Sequence, residues 1–248
     1  MPASAPRREH HGYPLRSGAV SVGLNIGAGH TYIPGFVNVD ISERAEVTLD
    51  LSKDRLPFDD NSVDTVVSIH TLEHVPDYLH ALGEIHRVLR HDGALLLKLP
   101  YVTLTEAHMI NPYHLHNFSE RSFDFFDPER LKGSAGEESR VAFRKVFVRY
   151  TYLGSFGMLP GPLRVWARRH LFNVVRQFDV GLVAIKDDRP VDAGRERSHE
   201  LQSTLRKLAS SRVPYEDSPA PHVASSRDHG MIVRGWDRVQ RRTRMRES

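Results

Sequence analysis

Short apolar runs recur between residues 20 and 100, and each has the length of a β-strand. They are rich in valine, isoleucine and leucine: VSVGLNI, FVNVDI, EVTLDL, VDTVVSI and ALLLKLP. Apolar residues at consecutive positions need cover on both faces of a strand, as in a parallel sheet between two helix layers. The pattern therefore predicts an α/β fold with a doubly wound, mostly parallel sheet.

Two later runs, FRKVFVRYTYL and FDVGLVAIK, have the same character and would bring the sheet to seven strands. Helical spacing of apolar residues covers Pro76 to Arg90, between the fourth and fifth strands. A second helical pattern, from Leu163 to Gln177, has an apolar side next to several arginines. We expect this segment to pack on the sheet, and contact with a membrane surface is the less favoured alternative.

Composition narrows the class of protein. The chain has 248 residues, a net charge of +3 and no cysteine, which excludes disulfides, zinc–thiolate sites and a cysteine nucleophile. It has neither the run of about 20 apolar residues that a membrane span needs nor the apolar stretch of a secretory signal. We therefore expect a cytoplasmic protein.

The chain divides into three predicted parts. Residues 1–17 form a flexible N-terminal tail, residues 18–188 a single domain, and residues 189–248 a basic, mostly disordered C-terminal tail with one short helical pattern at Leu201 to Leu208. A basic tail can contact nucleic acid. Because no aromatic residues are interleaved with its charges, a solvated tail is the preferred interpretation.

A glycine loop, Gly27-Ala28-Gly29, follows the first strand directly. Glycine at the carboxyl end of a strand lets the backbone approach a ligand closely, because no Cβ intervenes. Tyr32 stands where a dinucleotide fingerprint requires another glycine, and no GK[ST] follows. NAD and a nucleotide P-loop are therefore disfavoured.

Acidic residues close the next two strands. Asp40 ends the second strand, where its carboxylate can accept both hydroxyls of a ribose. Asp50 and Leu51 end the third, where an acid and an apolar side chain can hold the edge and the face of an adenine. Together with the glycine loop, these residues outline an adenosine site.

In this order the motifs resemble those of the class I S-adenosylmethionine-dependent methyltransferases, over about Val20 to Pro100 and more loosely to Lys186. The match also includes LPFDDNSVDTVVSIHTLEHV and the turn RVLRHDG before the fifth strand. The resemblance implies a Rossmann-like domain with S-adenosylmethionine as cofactor. It assigns the cofactor contacts to Gly27, Ala28, Gly29, Asp40, Ile41, Asp50, Leu51 and His70, the last of these near the methionine end.

The crossover between the first two strands is short, because Asp40 follows only eleven positions after Gly29. A spacing of about 20 residues is usual, so no full helix fits, and we expect one turn or an ordered loop and a more open cofactor site. A subset of bacterial methyltransferases with this short crossover is similar to the chain. Its members are associated with modification of glycans or other secondary products.

Histidines follow the fourth and fifth strands, where a methyl acceptor should bind. The candidates for the base that deprotonates the acceptor are His70, His74, His108, His114 and His116. We select His74 and His114 as catalytic, although any of these rings can instead cap a turn or pack on an aromatic side chain. The absence of a [DN]PPY motif after strand four favours O- over N-methylation.

The cluster of His108, His114 and His116 offers a second interpretation, a divalent metal site. The surrounding Asn-Pro-Tyr indicates a loop and no carboxylate is evident from spacing, so no metal is assigned.

The sequence thus predicts a methyltransferase that modifies a hydroxyl of a saccharide or small secondary metabolite. Three alternatives stay open: a non-catalytic binding or regulatory protein of the same fold, a nucleic-acid methyltransferase, and a histidine–metal hydrolase. The oligomeric state is not predicted.

Overall fold

The computed structural model describes residues 21–130 and 141–215. Within these ranges the strands are β1 (Gly23–Ile26), β2 (Thr31–Tyr32), β3 (Val37–Asp40), β4 (Val47–Thr48), β5 (Val63–Ile69), β6 (Leu89–Pro100), β7 (Phe143–Tyr152), β8 (Val175–Ala184) and β9 (Val213–Pro214). The helices are α1 (Tyr78–Val88), α2 (Thr105–Met109), α3 (Gly161–His170) and α4 (Arg195–Ser210).

Seven strands form one sheet in the order β4-β3-β1-β5-β6-β8-β7. The first five are parallel neighbours, and β8 runs antiparallel to both β6 and β7. These are the seven strands that the apolar runs predict, so the predicted fold class is confirmed. The ends of β1, β3, β4, β5 and β6 meet along one side of the sheet, called the carboxyl edge below.

One face of the sheet is covered by α1, whose Leu82 and Ile85 are fully buried against the strands. The helix begins after Asp77, whose side chain accepts a hydrogen bond from the His80 backbone N–H. It is shorter than the predicted Pro76 to Arg90, because Leu89 already begins β6.

The other face is covered by α4, which corrects the predicted end of the domain at residue 188. Its Leu201 and Leu205 are buried against Val67 and Leu96 of the central strands. The short crossover after β1 leaves this face without a helix of its own, so a helix from the C-terminal part of the chain buries the exposed strands. Burial of each leucine contributes roughly 1.5–3 kcal/mol. The predicted N-terminal tail and residues 216–248 lie outside the described residues.

The segment from Leu163 to Gln177 also differs from its prediction. Helix α3 ends at His170, and Val175 belongs to β8. Trp166 and Phe172 are 52% and 63% exposed, so the predicted apolar side does not pack on the sheet.

No helix in the described ranges combines the length and apolarity that a membrane crossing requires.

Candidate functional site

The glycine loop lies at the carboxyl edge, directly after β1. Gly27 has a φ of +74°, in the left-handed region that favours glycine, and a Cβ at this position would lie 2.0 Å from Thr71 Oγ1. Thr71 follows β5 and its hydroxyl approaches the carbonyl oxygens of Ile26 and Gly27. The glycine is therefore required both by its backbone conformation and by the close approach of the next strand's loop.

Hydrogen bonds within the chain fix the glycine loop. The backbone N–H groups of Gly27 and Ala28 donate to the Val39 carbonyl oxygen. The Gly29 N–H donates to Asp40 Oδ2 at 2.8 Å, and Asp40 Oδ1 accepts from the Ser42 N–H at 2.9 Å. A carboxylate has about four acceptor positions, so Asp40 keeps capacity for two further donors.

The residues predicted to contact adenine lie along the same edge. Asp50 Oδ1 accepts hydrogen bonds from the backbone N–H and the hydroxyl of Ser52. Partial burial by itself raises the pKa of Asp50, but the bonds from Ser52 and the ion pair with Lys53 outweigh it, and the pKa is lowered overall. Leu51 is buried, whereas Ile41, directly after Asp40, is 55% exposed and offers an apolar surface to a ligand.

The C-terminal end of the described chain covers the short crossover, where the sequence predicted one turn or an ordered loop. Strand β9 pairs with β2 in the short crossover, and the Arg212 guanidinium donates to the Ala28 carbonyl oxygen at 3.0 Å. The Tyr215 N–H donates to the carbonyl oxygen of His30. No local motif predicts this cover, because Arg212 and Tyr215 lie about 180 residues from the loop in the chain.

The five residues His70, Glu73, His74, His108 and His114 form a second group at the carboxyl edge, called the histidine cluster below. His70 directly follows β5 with a φ of +53°, unusual for a residue with a side chain, and its Nε2 lies 3.2 Å from Gln177 Oε1. The backbone N–H of Leu115 donates to the Glu73 carbonyl oxygen at 2.8 Å. The loop after β6 thereby brings His108 and His114 onto the turn after β5.

The imidazole rings of the cluster contact one another. The His74 and His114 ring centres are 4.6 Å apart, and those of His108 and His114 are 5.5 Å apart. His116 is separate, because its Nε2 bonds to the carbonyl oxygens of Val75 and Pro76. The structure therefore brings together the two histidines selected as catalytic. It separates His116 from the three histidines considered as an alternative metal site.

Glu73 is a member of the cluster that sequence analysis missed. Its side chain is fully buried, and among the described residues neither carboxylate oxygen accepts a hydrogen bond. Burial and the charge of neighbouring His74 lower the pKa of His114 to about 4, which keeps this ring neutral at pH 7. The signal for Glu73 was present in the LEHV stretch, but its burial was not visible there.

Comparison with known proteins supports the sequence resemblance. Residues 24–97 match a family described as a methyltransferase domain. A demethylmenaquinone methyltransferase of Staphylococcus epidermidis is 56% identical over 41 residues, which cover 16% of this chain and 17% of that protein. An uncharacterised protein of Methanocaldococcus jannaschii is 52% identical over 42 residues, or 17% and 18% of the two chains. The chain therefore matches less than a fifth of the length of these curated relatives.

Solved structures with a similar fold include two archaeal proteins. One is a methyltransferase from Haloferax volcanii in complex with its Trm112 activator, at 16% identity and a TM-score of 0.46, covering 69% of this chain and 86% of that one. The other is a SAM-dependent methyltransferase from Archaeoglobus fulgidus, at 15% identity and a TM-score of 0.47, covering 66% and 86%. The family match over residues 24–97 agrees with the predicted class of domain, for which the sequence resemblance implies S-adenosylmethionine as the cofactor.

The residues present fit that cofactor. Asp40 retains acceptor positions for ribose hydroxyls, and the exposed Ile41 offers a face to the adenine. A Cβ on Gly29 would meet no atom within 4 Å, so the backbone there is open to a close ligand. When bound, S-adenosylmethionine supplies an electrophilic methyl group.

Proposed function

We propose that the protein methylates a hydroxyl group of a saccharide or small secondary metabolite. Its residues 24–97 match a family described as a methyltransferase domain. The observation that carries the proposal is the contact between the two halves of the carboxyl edge. Thr71 packs on Gly27 of the glycine loop and stands between His70 and Glu73 in the chain. An acceptor in the histidine cluster thus adjoins the methionine end of the cofactor.

The cofactor half of this edge consists of Gly27, Ala28, Gly29, Asp40, Ile41, Asp50 and Leu51. In the proposal, Asp40 holds the ribose. Asp50 and Leu51 hold the adenine together with the exposed Ile41. His70 lies on the boundary, where it contacts both Gln177 and Glu73.

The imidazole rings of the histidine cluster favour a hydroxyl acceptor, because the acceptor oxygen must lose its proton when it gains the methyl group. His74 Nδ1 bonds to the Tyr113 carbonyl oxygen at 2.9 Å, so this nitrogen carries the proton and the neutral ring has its lone pair on Nε2. We assign proton removal to the pair His74 and His114.

Exposed apolar side chains near the same edge favour an acceptor with an apolar part. Met109 of α2 and Trp166 and Phe172 in and after α3 are all more than half exposed. The two segments meet where the Asn173 side chain accepts hydrogen bonds from Thr105. A saccharide that carries an alkyl or lipid group suits this surface better than a free sugar.

Calorimetric titration tests the cofactor first, with S-adenosylmethionine and S-adenosylhomocysteine as ligands and NAD and ATP as controls. We expect only the first pair to bind. Acceptors are then screened as matched pairs of free sugars and their alkyl glycosides, with an RNA pool as a third class. We expect methyl transfer to the glycosides, and a higher KM for them in Trp166→Ala.

Each contrary result has a defined meaning. Cofactor binding without transfer to any acceptor would favour the non-catalytic alternative. Transfer to RNA with steep salt dependence would favour the nucleic-acid alternative. Unchanged turnover in both His74→Ala and His114→Ala would remove these residues as bases.

A further inference from the structure

Buried carboxylates in the described ranges are balanced in two different ways. Asp127 and Asp179 each contact an arginine, and Asp179 also contacts a lysine. Glu73 is as deeply buried, yet neither of its oxygens accepts a hydrogen bond, and a ring nitrogen of His70 lies 3.4 Å from Oε1. A buried carboxylate that accepts no hydrogen bond and has only the partly exposed His70 ring beside it is costly, so its presence in the fold points to a cationic ligand.

We propose that Glu73, His74 and His114 bind a divalent first-row transition-metal ion such as Zn²⁺. One donor atom from each residue lies within 4.8 Å of the donors of the other two. Ligands about 2.1 Å from a shared ion are separated by up to roughly 4.2 Å, so small side-chain rotations complete the set. Imidazole donors select zinc and its neighbours over Mg²⁺ and Ca²⁺, which prefer oxygen ligands.

Hydrogen bonds around the histidine rings orient them in the way that metal-binding histidines need. The bond from His74 Nδ1 to the Tyr113 carbonyl leaves Nε2 as the donor nitrogen, the usual arrangement around a metal-bound histidine. In His114, Nδ1 is buried and has no hydrogen-bond partner among the described residues. His108 Nε2 bonds to the Tyr101 carbonyl, and its buried Nδ1 likewise has no partner there. His108 is therefore the nearby ring that can add a fourth ligand or accept a proton.

A set of two histidines and one carboxylate leaves coordination positions for water or substrate. Resting on the proposed function, we assign one such position to the acceptor hydroxyl. An ion bound there stabilises the alkoxide and lowers the barrier to losing the hydroxyl proton. The histidines selected as bases would then act through the ion, and the proton would pass to solvent or to His108.

Metal titration of the EDTA-treated, tag-free protein tests the site without reference to activity. We expect one Zn²⁺ per chain by calorimetry, and visible absorption from bound Co²⁺ that Zn²⁺ removes. Glu73→Gln and His114→Gln should each weaken Zn²⁺ binding at least about tenfold, with circular dichroism confirming the fold. His80→Gln, at a partly buried histidine of α1 that bonds to the Asp54 carbonyl oxygen outside the cluster, is the matched control and should bind like the wild type.

The outcomes separate this site from the proposed function. Zn²⁺ binding that is equal in the wild type, Glu73→Gln and His114→Gln would overturn the metal site. Methyl transfer that survives EDTA and Glu73→Gln would also overturn it while retaining the proposed function. Site-specific Zn²⁺ binding in a protein that transfers no methyl group would support the metal site and reject the proposed function.

Discussion

The two halves of the carboxyl edge satisfy their polar groups in opposite ways. In the cofactor half, the three N–H groups of the glycine loop are bonded within the chain, and Asp40 accepts from two of its neighbours. In the histidine cluster, the carboxylate of Glu73 and the Nδ1 atoms of His108 and His114 are buried without hydrogen bonds among the described residues.

This difference indicates what each half contributes before any ligand binds. The cofactor half is held in its binding conformation by its own hydrogen bonds, so a ligand meets a surface that is already ordered. The histidine cluster contains buried polar atoms without hydrogen bonds among the described residues, and a cation or a polar acceptor would supply their missing partners.

Replacing Gly27 by alanine should do the greatest damage. The new Cβ would overlap the Thr71 side chain and occupy a left-handed conformation, at a cost of about 2–5 kcal/mol. Gly29→Ala is the control, since its φ is also positive but no atom lies within 4 Å, and it should cost about 1 kcal/mol. Urea denaturation measures both, and equal losses would contradict the close contact with Thr71.

Leu205→Ala tests whether α4 supports the cofactor half. The side chain is buried against the sheet, so its loss should cost about 2–4 kcal/mol and weaken binding of S-adenosylhomocysteine more than binding of Zn²⁺. Leu79→Ala, a half-exposed leucine on α1, should change stability by less than about 0.5 kcal/mol. If the two variants unfold at the same urea concentration, α4 does not anchor the domain.

Acid-to-amide changes should have opposite signs in the two halves. Asp40→Asn places an amide N–H₂ against a backbone N–H and should destabilise the protein by about 1–3 kcal/mol. Glu73→Gln replaces a buried acid that accepts no hydrogen bond and should stabilise the metal-free protein by about 1 kcal/mol. Denaturation in EDTA compares them. Destabilisation by Glu73→Gln would mean that a protonated histidine, such as His70, already balances this carboxylate.

Alkaline titration should give the smallest effect. Burial and the nearby charges of Glu46 and Asp40 raise the pKa of Tyr215 to about 12, above its value near 10 in the unfolded chain. The neutral phenol is favoured by folding, so its contribution is complete below pH 10 and is lost as the pH rises through 12.

Tyr215→Phe should therefore match the wild type at pH 7 and lose less stability at pH 11, by up to about 1 kcal/mol. Denaturation of both proteins at the two pH values makes the comparison, because other titrating groups cancel. Parallel losses in the two proteins would place Tyr215 in solvent.

Local pattern was sufficient to predict most of the cofactor half. The seven strands, the glycine loop and the acids that close β3 and the next strand all carry a signal within a few residues. The histidine cluster was predicted only in part, since His74 and His114 were selected but Glu73 was not. Residue type identified candidate ligands, whereas burial and hydrogen-bond satisfaction depend on neighbours that are distant in the chain.

The sequence alone determined the class of fold and the resemblance to a methyltransferase domain over residues 24–97, because strand periodicity and turn chemistry are short-range properties. Only the tertiary structure decided which elements cover the sheet and which residues assemble the histidine cluster. Helix α4 replaces the missing crossover helix because an uncovered apolar sheet face must be buried, whatever part of the chain supplies the cover. The Glu73 backbone meets Leu115, 42 residues later, and this contact assembles the histidine cluster. Both the packing of α4 on the sheet and the contact between Glu73 and Leu115 join residues that are far apart in the chain, so no short stretch of sequence predicts them.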